Sequence, residues 1–149
     1  MTDLSPSPEV ISLRIPSRLE LLSVLDKVTQ IVCERMSLDD TTCSQVTMSV
    51  IEAGTNAIQH GHKRDASKLV DVEFDVFPDR VEISVTDHGK GFDPSAVNGD
   101  VTSPEHLLDA RGRGLFIMRA CMDEVDYSFS PEGTVCHLVK HRPPTHEPG

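Results

Sequence analysis

The stretch from Arg80 to Gly91, RVEISVTDHGKG, constrains this chain more than any other. Val81, Ile83 and Val85 alternate with Glu82, Ser84 and Thr86, the period of a strand with one buried face. Asp87 keeps the apolar parity, so the strand ends in a carboxylate aimed at the buried side. A buried carboxylate without a partner is costly. Its partner is either a donor from the protein or a donor from a ligand, such as the exocyclic amino group of adenine. Gly89 and Gly91 follow at once. Glycines there let the backbone turn sharply and let a flat ligand come close.

The rest of the chain supplies layers for that strand. Val10 to Ile15 alternates as a short strand, and Pro16 ends it. Ser17-Arg18-Leu19-Glu20 reads as a capping box. Leu21, Leu25, Val28 and Val32 then recur at helical spacing to about Arg35. Ser37-Leu38-Asp39-Asp40 opens a second helix, with Val46, Val50, Ala53 and Ala57 as its apolar stripe and Gly61 as its stop. Leu69 to Phe77 and the strand at Arg80 form a hairpin about Pro78-Asp79. From Asp93 to Arg111 the pattern dissolves around Pro94, Asn98, Gly99 and Pro104, with a short helical hint at Glu105 to Asp109. A connection this long is expected to serve as a lid. Leu115 to Met122 is an apolar helix. Glu124 to Phe129 and Thr134 to Lys140 are a last strand pair. This order predicts a two-layer α/β sandwich, with a mixed, mostly antiparallel sheet covered on one face by helices. Residues 9–140 are expected to form one domain, with flexible ends at 1–8 and 141–149.

Composition sets limits. The formal net charge of −10 argues against nucleic acid as a partner, because phosphate binding needs a basic face. No apolar run is long enough to span a membrane, and the polar, acidic start is no signal peptide. Cys33, Cys43, Cys121 and Cys136 lack paired spacing, which fits free thiols in the cytoplasm. His60 and His62 offer poor spacing for zinc.

Two further segments carry chemistry. Glu52 and Asn56 stand one turn apart on one face of the second helix. An amide oxygen is a hard ligand suited to Mg²⁺, and a carboxylate beside it can accept a proton from an attacking hydroxyl. An exposed helical pair would look the same. Gly112-Arg113-Gly114 is expected to be a second glycine loop before a helix, where free amides and the helix dipole favour a phosphate. A simple turn would also look the same. Arg111, Arg113 and Arg119 cluster beside it, and Arg113 lies between two glycines.

In this order the three segments resemble the GHKL ATPase superfamily, and within it the anti-sigma factor serine/threonine kinases. Glu52-x-x-x-Asn56 is similar to the N box of that superfamily. Asp87-x-Gly89-x-Gly91 is similar to its first glycine box, and Gly112-x-Gly114-Leu115 to its second. Met122-Asp123-Glu124-Val125 is also typical of the subfamily, and the likeness runs from about Val10 to Lys140. The resemblance implies a histidine kinase-like ATPase fold that binds ATP or ADP with Mg²⁺. It implies Asn56 as metal ligand, Glu52 as catalytic base and Asp87 on adenine. Gly89, Gly91, Arg111, Gly112, Arg113, Gly114, Leu115 and Thr134 would line the nucleotide. It further implies transfer of phosphate to a serine or threonine of a STAS-domain antagonist, capture of a sigma factor, and a homodimer, for which the apolar face and potential open edge of Val10 to Ile15 offer the seam. The alternative is an ATP-dependent binding module that sequesters a regulatory partner without significant kinase activity.

Overall fold

The structure, a computed structural model, describes residues 7–61, 65, 67–89 and 104–143, with backbone alone at 60, 61 and 104–112. It contains strand β1 (Glu9–Pro16), helices α1 (Leu22–Arg35) and α2 (Asp40–Asn56), strands β2 (Leu69–Val76) and β3 (Arg80–Asp87), helix α3 (Pro104–Cys121), and strands β4 (Glu124–Ser130) and β5 (Gly133–His141). The sheet runs β1-β2-β3-β5-β4. Every pairing in it is antiparallel.

Strand parity decides which side is covered. Phe74, Ile83 and Leu138 lie side by side in register and are fully buried. Leu25, Val32, Val46, Val50 and Met118 of the helices meet them in one core. Each such side chain contributes about 1.5–3 kcal/mol on burial, so this face drives the layering. The opposite face carries Asp71, Glu73, Glu82, Ser84 and Thr86, as the alternation predicts.

Two local expectations need correction. The capping box does not form as read. The β1–β2 ladder continues past Pro16 through a 3.0 Å bond from Ser17 N to Lys68 O. Ser17 therefore stays with the sheet, Arg18 precedes a single 3-10 turn without a side-chain cap, and Glu20 pairs with Arg18 at 2.7 Å. Farther on, α1 ends in a Schellman motif, with Leu38 N on Cys33 O and Ser37 N on Glu34 O. Ser37 takes the left-handed conformation at φ 54°. Asp39 then caps α2 by accepting from Thr42 N at 2.7 Å, which also holds its carboxyl below the usual carboxylate range.

The second correction concerns α3. Its helix begins at Pro104, so Arg111, Gly112, Arg113 and Gly114 are turns within a helix and not a loop before one. Of the expected lid, 93–103 lies outside the described residues and 104–111 is helical.

On the bare face, Asp71 accepts from Arg14 Nε at 2.6 Å and lies 2.6 Å from His88 Nε2. Burial works to raise its carboxyl, but the bonds to Arg14 and His88 outweigh burial and hold it below its ordinary range. This link is therefore complete above the unfolded carboxylate pKa and is lost as pH falls through the lowered one. Asp71→Asn should lower the melting temperature near pH 7, and the difference from the parent should vanish under acid. A difference that persists at acid pH would mean that packing, not charge, is responsible.

Candidate functional site

The last turns of α2 bring Glu52 and Asn56 to the face that meets α3. Asn56 is 5% exposed, which removes the surface-pair reading for it. Glu52 is half-buried. Opposite them stands Gly114. A Cβ there would lie 2.9 Å from Glu52 Oε2 and 3.2 Å from Asn56 Nδ2. The absence of a side chain at Gly114 is thus what lets α3 pass the carboxylate and the amide. After Asn56 the helix widens into a π turn, Ala57–Gly61. Such turns recur at functional sites, because an added residue re-aims the side chains before it.

The second group of residues sits at the end of β3. Asp87 is 3% exposed and accepts from Gly89 N at 3.2 Å through Oδ1. So a protein donor does reach this carboxylate, one of the two partners its parity called for. Asp87 lies in register with Thr134 of β5, which is 4% exposed. The start of β5 can come this close because its first residue is Gly133. A Cβ there would fall 2.0 Å from the carbonyl oxygen of Asp87, and φ is +153°, where side chains are strained.

Strand β4 ties the two groups together. Asn56 Nδ2 donates to the Tyr127 hydroxyl at 3.3 Å. Tyr127 stacks on Phe129, with ring centroids 5.9 Å apart. Phe129 is in register with Thr134, and Thr134 with Asp87. Two strand spacings, roughly 10 Å, thus span the carboxylate end of β3 and the aromatic pair beside Asn56.

The predicted residues therefore divide. Glu52, Asn56 and Gly114 converge, and Asp87, Gly89 and Thr134 form a neighbouring cluster. Leu115 is buried in the core and Arg113 is exposed. Arg111 and Gly112 are described as helical backbone only. Gly91 lies outside the described residues, as do His62 and the His60 side chain. Tyr127 and Gly133 were missed by sequence reasoning. Tyr127 shares parity with the core-facing Val125, which was the available signal.

The donor set suits a nucleotide with a hard divalent cation. A carboxamide and a carboxylate border a gap that one methyl group would fill, and a buried carboxylate ends a strand beside glycine backbone. Among the described residues, no three His, Cys, Asp or Glu side chains form a metal cluster of their own. A cation there would have to take most of its shell from water and phosphate, as Mg²⁺ does. No described helix is long and apolar enough to cross a membrane.

Comparison with known proteins identifies the family and the fold. The profile of the histidine kinase-like ATPase domain matches residues 15–140. Serine-protein kinase RsbW of Bacillus subtilis (strain 168) is 33% identical over 122 residues, covering 78% of this chain and 76% of the relative. Serine-protein kinase RsbW of Bacillus velezensis is 33% identical over 143 residues, covering 93% and 89%. Among solved structures, the RsbU and RsbW domains of Rv1364c from Mycobacterium tuberculosis superpose with a TM-score of 0.67 at 15% identity. That match covers 92% of this chain and 34% of the solved one, and it supports the fold alone.

Proposed function

The chain belongs to the family of histidine kinase-like ATPase domains and is a protein serine/threonine kinase; from that premise we propose how its residues work. In this reading Asn56 offers its amide oxygen to Mg²⁺, Asp87 accepts from the adenine amino group, and Glu52 acts as the base. Gly89, Gly91, Arg111, Gly112, Arg113, Gly114, Leu115 and Thr134 line the nucleotide. Bound Mg²⁺ would neutralise phosphate charge. The chain's own contribution is placement, which is most of what phosphoryl transfer requires.

Glu52 takes the proton from the attacking serine or threonine hydroxyl. The freed oxygen bonds to the γ-phosphorus, and the bond from that phosphorus to the bridging oxygen breaks, leaving ADP. The observation that carries this reading is the convergence of Glu52 and Asn56 on the side-chain-free Gly114. It supports a proton acceptor working close to a hard metal ligand.

The acceptor in this account is a small STAS-domain antagonist in the cytoplasm, and the second partner is a sigma factor held by the same chain. Phosphorylated antagonist lets go, and the sigma factor stays captured. A second copy of the chain pairs through β1, which among the described residues is bonded only to β2 and so leaves an edge for a twin. Transfer of labelled phosphate from ATP to the antagonist tests the central step.

The adenine contact has its own test. Asp87→Asn should weaken ATP about 10- to 150-fold, the worth of a hydrogen bond to a charged group. It should also narrow the preference for ATP over GTP. Equilibrium titration of both nucleotides measures this. Parental affinity for ATP in the variant would leave Asp87 with only its bond to Gly89.

A further inference from the structure

We infer that Tyr127 is a positioning residue for the metal site, acting through Asn56. The inference rests on the reading of Asn56 as metal ligand and deepens it. A carboxamide has two ends of similar size and opposite character. Its oxygen binds a cation, whereas its NH₂ group would repel one. Rotation by half a turn exchanges the two ends, so a ligand amide needs a partner that holds it in one orientation.

The Tyr127 hydroxyl holds one end of this amide, and in the structure that end is the nitrogen. It lies 3.3 Å from Nδ2 and accepts from it. One end of the amide is thereby committed to β4, and the oxygen is left for the pocket. Asn56 is 5% exposed, so water has little access to compete for the same hydrogen. Gly114 confirms the crowding: the position a Cβ would take there is 3.2 Å from Nδ2 and 3.7 Å from Oδ1. The tyrosine is itself held in place. Its ring stacks on Phe129 with an angle of 14° between planes, and it packs against the core beside Val125. Partners that orient a metal ligand typically change metal affinity 10- to 100-fold when removed.

Tyr127→Phe deletes the hydroxyl and keeps the ring and its stack. The experiment titrates ATP binding against Mg²⁺ in the parent, Tyr127→Phe and Asn56→Ala, with a parallel series in chelator. The expected result has three parts. Asn56→Ala loses the Mg²⁺-dependent gain in affinity. Tyr127→Phe keeps it but needs about 10- to 100-fold more Mg²⁺ to reach half of it. Affinity in chelator stays parental in Tyr127→Phe. If Asn56→Ala loses the gain and Tyr127→Phe titrates as the parent does, the inference is overturned and the role of Asn56 stands. If Tyr127→Phe weakens ATP equally with and without Mg²⁺, the hydroxyl has a structural role and the inference fails. If Asn56→Ala keeps the full gain, the metal-ligand reading falls and takes the inference with it.

Discussion

Glu52→Gln is expected to lower single-turnover phosphoryl transfer by ~10²–10⁴-fold, the usual worth of a positioned general base. ATP affinity and partner capture should stay near parental. The expectation follows from where the carboxylate sits. It shares a helix face with Asn56 and turns toward α3, where Gly114 leaves room. The amide of glutamine is nearly the same shape, so packing against α3 changes little. It cannot take a proton from a hydroxyl, so the attacking oxygen must lose its proton to water. Glu52→Ala should behave alike on the chemical step. Mass spectrometry of the acceptor after mixing with excess enzyme and ATP reads the rate directly. Parental rates in both variants would remove Glu52 from the chemistry.

Gly133→Ala is expected to be the most damaging small substitution for folding. The added methyl would stand 2.0 Å from the Asp87 carbonyl oxygen, a backbone atom that cannot swing aside as a side-chain tip can. Overpacking of this kind costs about 1–3 kcal/mol. Forcing a side chain onto φ +153° adds roughly 1–3 kcal/mol more. A total of about 2–6 kcal/mol is a large share of a domain stability of about 5–15 kcal/mol. Chemical denaturation should show a lower midpoint. Nucleotide binding should weaken as well, because the push falls on the residue that ends β3. An unchanged midpoint would mean that the start of β5 shifts freely.

Much of this architecture was legible because burial imposes a period. The alternation of Val81, Ile83 and Val85 located β3 and showed that Asp87 faces inward, and the structure places it there at 3% exposure. The stripe Val46, Val50, Ala53 and Ala57 located α2 in the same way, and all four are buried. Glu52 and Asn56 were legible as a pair because helical spacing alone sets them on one face. What spacing could not give was the surroundings. Glycine costs a helix interior about 1 kcal/mol, so Gly112 and Gly114 read as a loop. The structure instead uses Gly114 inside α3, where the fit against Glu52 and Asn56 outweighs that propensity. Tyr127 lies 71 residues from Asn56 in sequence, and no local pattern links an edge strand to a helix end that far away. The capping box failed for a related reason. A ladder bond to Lys68, remote in sequence, holds Ser17 in the sheet.

The measurement that bears most directly on this account is transfer from γ-labelled ATP to a purified STAS-domain antagonist, with the acceptor residue identified afterwards. The account predicts that the parental chain labels one serine or threonine of the antagonist in the presence of Mg²⁺, and that Glu52→Gln does so at least ~10²-fold more slowly. A chain that binds ATP and the antagonist yet leaves the antagonist unlabelled would contradict it, and would make the protein a nucleotide-dependent binding module.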